Sequence, residues 1–164
     1  MSDVTVTQDM RQRLEPALRR IFHLYWRFAR GMTLGVRGVV LDADNRVFLV
    51  KHSYISGWHL PGGGVETGET MLTALTRELA EEANIKLKSE PKLHGVFFNR
   101  RVSRRDHIGL FIVRDFLQET PPVPNREILE HGFFARDALP DDASRATRAR
   151  LAEVFDGVPI SELW

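Results

Sequence analysis

Residues 60–85 read LPGGGVETGETMLTALTRELAEEANI, and the fold turns on the change of pattern inside this stretch. Gly62, Gly63, Gly64 and Gly68, with Pro61, forbid regular structure in the first part, so residues 53–68 are expected to be mostly loop. From Thr70 onward Leu72, Leu75, Leu79 and Ala83 recur at helical spacing, and Asn84 stands where a helix ends on a left-handed residue. The spacing predicts a glycine loop feeding one helix that runs from Thr70 to Asn84.

Between residues 53 and 85 lie five carboxylates, Glu66, Glu69, Glu78, Glu81 and Glu82, against one fully charged base, Arg77. At roughly 100° per residue Glu78, Glu81 and Glu82 fall on one arc of the helix, beside the leucine stripe. Carboxylates that close raise one another's pKa and oppose folding unless a cation sits among them, and their oxygens are the ligands that Mg²⁺ or Mn²⁺ prefers. Magnesium commonly binds through one or two carboxylates plus substrate phosphates, so an acidic helix beside a glycine loop suggests a phosphate-bearing substrate. The plain alternative is a solvated charged helix face.

The spacing decides between them. Gly63, Glu69, Arg77, Glu78, Leu79, Glu81, Glu82 and Ile85 closely resemble the box of the Nudix (MutT-like) hydrolase family: glycine, five residues, glutamate, seven residues, then Arg-Glu-aliphatic-any-Glu-Glu-any-Gly-aliphatic. The charged and glycine positions alone coincide by chance on the order of once in ten million windows. Asn84 replaces the late glycine, a change that a left-handed helix terminus accommodates. The resemblance, which covers about residues 33–140, implies an α/β/α sandwich with a mixed sheet and hydrolysis of a phosphoanhydride bond. It implies Glu78, Glu81, Glu82 and the Gly62 carbonyl as metal ligands, with Glu81 alternatively a proton acceptor. Arg77 would orient the carboxylates and Glu69 would bind back to the helix or the second metal shell. Glu127 and Glu130, in a segment resembling a common pattern after the box, are the candidates for the general base. The proline that ADP-ribose hydrolases often carry past the box is absent, with Asn99, Arg100 and Arg101 in its place. The substrate is expected to be a small nucleotide, either a nucleoside diphosphate derivative or a triphosphate. A nucleotide-sensing regulator that keeps the fold without the reaction is the alternative.

Outward from the box, residues 34–41 and 47–50 read as strands joined by a hairpin turn at Asp42, Ala43, Asp44 and Asn45. Residues 93–98, 108–117 and 133–134 read as further strands and 143–155 as a final helix. Arg100, Arg101, Arg104 and Arg105 crowd one inter-strand loop; Arg104 and Arg105 are candidate phosphate clamps, or solvated charge. Trp58, just before the glycine loop, stacks on a base or packs in the core.

Before the box, Leu14, Leu18, Ile21, Phe22, Tyr25 and Phe28 predict an amphipathic helix whose other face carries Arg11, Arg13, Arg19, Arg20, Arg27 and Arg30. Such a face docks on its own domain, joins a homodimer or lies on an anionic membrane, the last being the least expected. The chain is therefore divided into an N-terminal helical extension, 1–32, and a catalytic domain, 33–164. Its 164 residues suit one core, and 23 basic residues against 22 acidic ones give no argument for a specific nucleic-acid partner. The absence of cysteine excludes disulfides, thiolate metal sites and a cysteine nucleophile. With no signal-like or spanning apolar stretch in these residues, a cytoplasmic location is expected.

Overall fold

The computed structural model describes residues 31–164, and the expected arginine-bearing first helix lies outside them. Among the described residues the strands are β1 (Thr33–Val40), β2 (Val47–His52), β3 (Trp58–His59), β4 (Lys86–Leu87), β5 (Lys92–Phe98), β6 (Asp106–Val113), β7 (Phe116–Leu117) and β8 (Ile128–Phe134). They accompany two helices, α1 (Met71–Ala83) and α2 (Arg145–Asp156). One sheet has the order β1-β6-β5, with β1 parallel and β5 antiparallel to β6. A second, antiparallel sheet has the order β3-β2-β8, and β4 pairs with β7.

β2, β6 and the second half of β1 are mostly apolar because both of their faces are buried, whereas β5 and β8 are partly exposed. Successive side chains point to opposite faces, so each strand divides its residues between two cores. Val36 and Val40 of β1, Phe48 and Val50 of β2, and Phe111 and Val113 of β6 pack with Ala74, Leu75, Leu79 and Ala83 of α1. Val39, Val47, Leu49 and Leu110 point the other way, into a cluster with Leu151 of α2. This is the mixed α/β arrangement that the sequence predicts.

Helix α1 begins and ends where the residues demand. The Thr70 hydroxyl accepts from the Thr73 amide at 3.1 Å. Asn84 adopts a left-handed conformation, φ 52°, and its amide donates to Ala80 while Ile85 donates to Leu79. Helix α2 is capped in the same way by Ser144 and ended by Gly157.

Three expectations need correction. The strands on either side of the Asp42–Asn45 turn do not form a hairpin ladder. They meet only at the Leu41–Val47 bridge and then enter different sheets, because β6 and β8 are their long-range partners. The single mixed sheet is two small sheets and a two-stranded pair. The strand expected over 108–117 breaks at Arg114 and Asp115 into β6 and β7, whereas residues 53–68 are mostly loop as expected, interrupted by β3. A register shift between Lys51 and His52 leaves Leu129 of β8 without a partner; such bulges bend a strand and re-aim its end. His52 keeps the parity of Phe48 and Val50 and so faces α1.

Candidate active site

The glycine loop lies along the edge of β1 that β6 leaves open. Val36 donates to the Gly63 carbonyl at 2.8 Å, Gly38 to Pro61 at 2.9 Å, and Val65 to Leu34 at 2.8 Å. Gly62 has φ +133°, and a side chain there would strike the Val36 carbonyl. At Gly63 a β-carbon would fall on the Glu78 carboxylate, so that glutamate rests directly against the loop.

Arg77 ties loop and helix together. Its Nε and Nη2 donate to the two oxygens of Glu69 at 3.0 Å each, Nη1 to Glu78 at 2.7 Å, and Nη2 also to the Gly64 carbonyl at 3.0 Å. Glu81 stands 3.6 Å from the same guanidinium. The forked donor suits two parallel bonds to one carboxylate. Hydrogen bonds from Arg77, and then from the Glu66 amide, hold the Glu69 carboxyl at about 2, and the carboxylates push the Arg77 guanidinium up.

Glu82 sits deeper, only 6% exposed. One of its oxygens accepts from the Gly62 amide at 2.7 Å. Burial pushes its carboxyl up to about 7, against the opposing pull of that amide and of Arg37. Its other oxygen faces Nε2 of His52 at 3.7 Å. His52 is 4% exposed, neither of its ring nitrogens has a hydrogen-bond partner among the described residues, and burial lowers it to about 4. Arg37 donates to the carbonyls of Leu60 and Gly62, so the Gly62 oxygen expected on the metal is shared with a guanidinium. Tyr54 donates to Glu127 at 3.4 Å.

Arg37, Tyr54, Glu78, Glu82, Glu127 and the glycine loop line a cleft of about 460 Å³ that also includes Asn99, Val102 and Asp106 at its other end, and His52 stands behind Glu82. Asp106 is held by Asn99 and Thr33 at 2.7 Å each. Among the described residues that line the cleft there are thus four carboxylates, Glu78, Glu82, Asp106 and Glu127, and one guanidinium, Arg37.

Of the residues predicted for the site, Glu78, Glu82, Gly62 and Glu127 meet in this cleft, and Arg77 holds Glu78 from outside it. Glu81 lies on the rim beside Arg77, its side chain 63% exposed. Glu130 pairs with Lys51 at 3.2 Å, away from the cleft. Trp58 is buried in the α2-side core, edge-on to Phe134 at 4.8 Å, so its ring has no open face toward a base. Arg104 and Arg105 are exposed on the β5–β6 loop, whose neighbours Asn99, Val102 and Asp106 form the cleft wall. Arg37, His52, Tyr54, Asn99 and Asp106 were not singled out by the sequence reading; a histidine ending an otherwise apolar strand was the one available signal.

A model of the NUDIX domain matches residues 31–155. The chain belongs to the Nudix hydrolase family. Within it, the chain is similar to an RNA pyrophosphohydrolase of Pelagibacter ubique, 50% identical over 54 residues, which are 32% of this chain and 34% of that one. It therefore spans about a third of the length of that relative. Among solved structures it is similar to a MutT NUDIX hydrolase from Burkholderia pseudomallei, with a TM-score of 0.65 and 27% identity over 74% of this chain and 97% of that one. It shares its fold with an ADP-ribose pyrophosphatase from Streptococcus suis, with a TM-score of 0.60 and 23% identity over 80% and 95% of the two chains. Among the described residues no helix is long and apolar enough to cross a membrane.

Proposed function

We propose that this Nudix chain is a metal-dependent pyrophosphohydrolase that cleaves a phosphoanhydride bond in a nucleoside-diphosphate-linked substrate or a nucleoside triphosphate. The observation that carries the reading is the cleft in which Glu78 and Glu82 meet beneath the glycine loop, with too few cations for its carboxylates. Such a cleft repels phosphate until a divalent cation enters, and its donors fit one: hard carboxylate oxygens and a buried imidazole with both nitrogens unpartnered. Bound Mg²⁺ or Mn²⁺ supplies charge neutralisation at the phosphates and a more acidic water.

The protein's own residues supply the rest. Glu78 and Glu82 hold the cation, and Arg77 keeps Glu78 seated on the loop. Glu81, exposed beside Arg77, would be a further ligand for that cation. Glu127, exposed at the cleft mouth, accepts the proton of the attacking water, and Tyr54 fixes its carboxylate. Arg37 is the fixed positive charge nearest the phosphates. Arg104 and Arg105, above the Asn99–Asp106 end, meet the more distant part of the substrate.

The local similarity to an RNA pyrophosphohydrolase, together with the arginine-rich loop, favours an RNA 5′ end as a second candidate for that distant part. The deciding experiment is pyrophosphate, phosphate and nucleotide release from nucleoside diphosphate derivatives, nucleoside triphosphates and a short 5′-triphosphorylated RNA. Turnover that needs Mg²⁺ or Mn²⁺ and is lost in Glu82→Gln supports the enzyme and names the substrate. Tight nucleotide binding without turnover across the panel points instead to a sensor.

A further inference from the structure

We propose that His52, Glu82 and Glu127 form a cation position with an imidazole ligand, one that prefers Mn²⁺, Co²⁺ or Zn²⁺ to Mg²⁺. The inference rests on the cleft being a metal site, and it goes further by bringing in a nitrogen donor from outside the box; Glu127 binds through one carboxylate oxygen and keeps the other for the proton of the attacking water.

His52 is buried and both of its ring nitrogens lack partners, an arrangement that folded proteins rarely leave without a purpose. Its Nε2 lies 3.7 Å from a Glu82 oxygen, too far for a hydrogen bond. Two atoms bound to one ion at about 2.1 Å each stand roughly 3 to 4 Å apart, so the same separation suits a shared cation. One donor atom each from His52, Glu82 and Glu127 lies within 4.8 Å of the others, and Glu127 is the exposed member of the three, free of core packing as it turns to close the set. The fold makes the position from three elements: the end of β2, the buried face of α1, and the chain entering β8. The bulge at Lys51 and His52 sets how the first and third meet, with Ser53 donating to the Glu127 carbonyl at 2.8 Å. Arg37, the nearby positive charge, is turned to the carbonyls of Leu60 and Gly62. An imidazole donor suits borderline cations, whereas Mg²⁺ favours an all-oxygen shell, which gives the selectivity its direction.

The test is pulsed electron paramagnetic resonance of Mn²⁺ bound to the full-length chain, read for hyperfine coupling to a coordinated nitrogen. Coupling is expected in the native chain and in His59→Gln, and is expected to vanish in His52→Gln, whose Mn²⁺ affinity falls about tenfold or more while its Mg²⁺ affinity falls less. An oxygen-only spectrum in the native chain overturns the role of His52 and leaves the metal cleft standing. Nitrogen coupling that survives in His52→Gln, or that disappears in His59→Gln, also overturns it. Failure to bind Mn²⁺ at millimolar concentration overturns both readings. The native and His59→Gln spectra decide even if His52→Gln does not fold.

Discussion

Two glutamates on two helices are buried to nearly the same degree, and their surroundings differ completely. Glu153 of α2, 7% exposed, accepts from Arg150 at 2.6 Å and from the Ser161 amide at 2.9 Å, and lies 3.1 Å from His94. Arg150 in turn donates to the Leu163 carbonyl and lies over the ring of Phe97. Glu82 of α1 has a single backbone donor and a histidine just beyond hydrogen-bond reach. A buried carboxylate whose partners are all present holds a structure together, and in this chain it pins the C-terminal segment to the second core. A buried carboxylate short of partners keeps its pKa high and waits for a ligand.

The contrast is broken or sharpened most strongly by exchanging each glutamate. On the proposed reading Glu82→Gln should lower kcat/KM by about 100-fold or more, because a bound cation would lose its deepest ligand. Its melting temperature should hold or rise, since a costly buried charge is removed. Glu153→Ala should do the reverse. It leaves Arg150 buried without its carboxylate, a change of about 3 kcal/mol, and the thermal midpoint should drop while metal-dependent turnover per folded molecule stays close to native. Equal stability losses in the two variants would show that the two sites are not different in kind.

A smaller effect follows from pH with metal removed by chelator. The Glu82 carboxyl is raised from 4.5 to about 7 in the folded chain, so between those values the folded state keeps a proton that the unfolded state has lost, and stability falls as pH rises. His52 is lowered from 6.5 to about 4, so over that window the unfolded state holds the extra proton and stability rises with pH. The slopes oppose each other across most of pH 4.5 to 6.5 and largely cancel. Denaturant melts over this range should find the pair nearly silent in the native chain. Glu82→Gln should uncover stability that increases with pH and His52→Gln stability that decreases, each by about 2–3 kcal/mol. Parallel slopes in the two variants would remove the basis for treating these groups as opposed.

The box was legible in the sequence because its chemistry is local: Glu69, Arg77, Glu78 and Glu82 lie within one loop and one helix, where spacing alone sets direction. The same holds for the helix terminator, Asn84. His52, Arg37 and Tyr54 were not legible, because they reach the cleft through strand register and a bulge whose partners lie far away in sequence. The turn at Asp42–Asn45 illustrates the limit. Turn chemistry predicts that the chain reverses there, and it does, but not which neighbour each strand then takes. Competition from β6 and β8 decides that. Trp58 takes the packing alternative: it adjoins the glycine loop in sequence, yet strand parity sends its ring to the α2 side.

The mildest probe concerns the one box position where this chain departs from the family pattern. Asn84 ends α1 in the left-handed conformation that glycine also adopts, so Asn84→Gly should cost the helix terminus almost nothing. The asparagine side chain does what glycine cannot: its amide donates to the carbonyl and the hydroxyl of Thr120, at 3.0 and 2.8 Å. Those bonds tie the end of α1 to the segment that leads to Glu127. Their loss is worth about 1 kcal/mol or less at this exposed site, so the melting temperature should barely move. Amide exchange in residues 118–127 should quicken, and kcat should fall a few-fold with KM nearly unchanged, as expected if the tie positions Glu127 without touching substrate. Unaltered exchange in that segment would mean that the loop is held by other contacts, and that the substitution of asparagine for glycine is neutral.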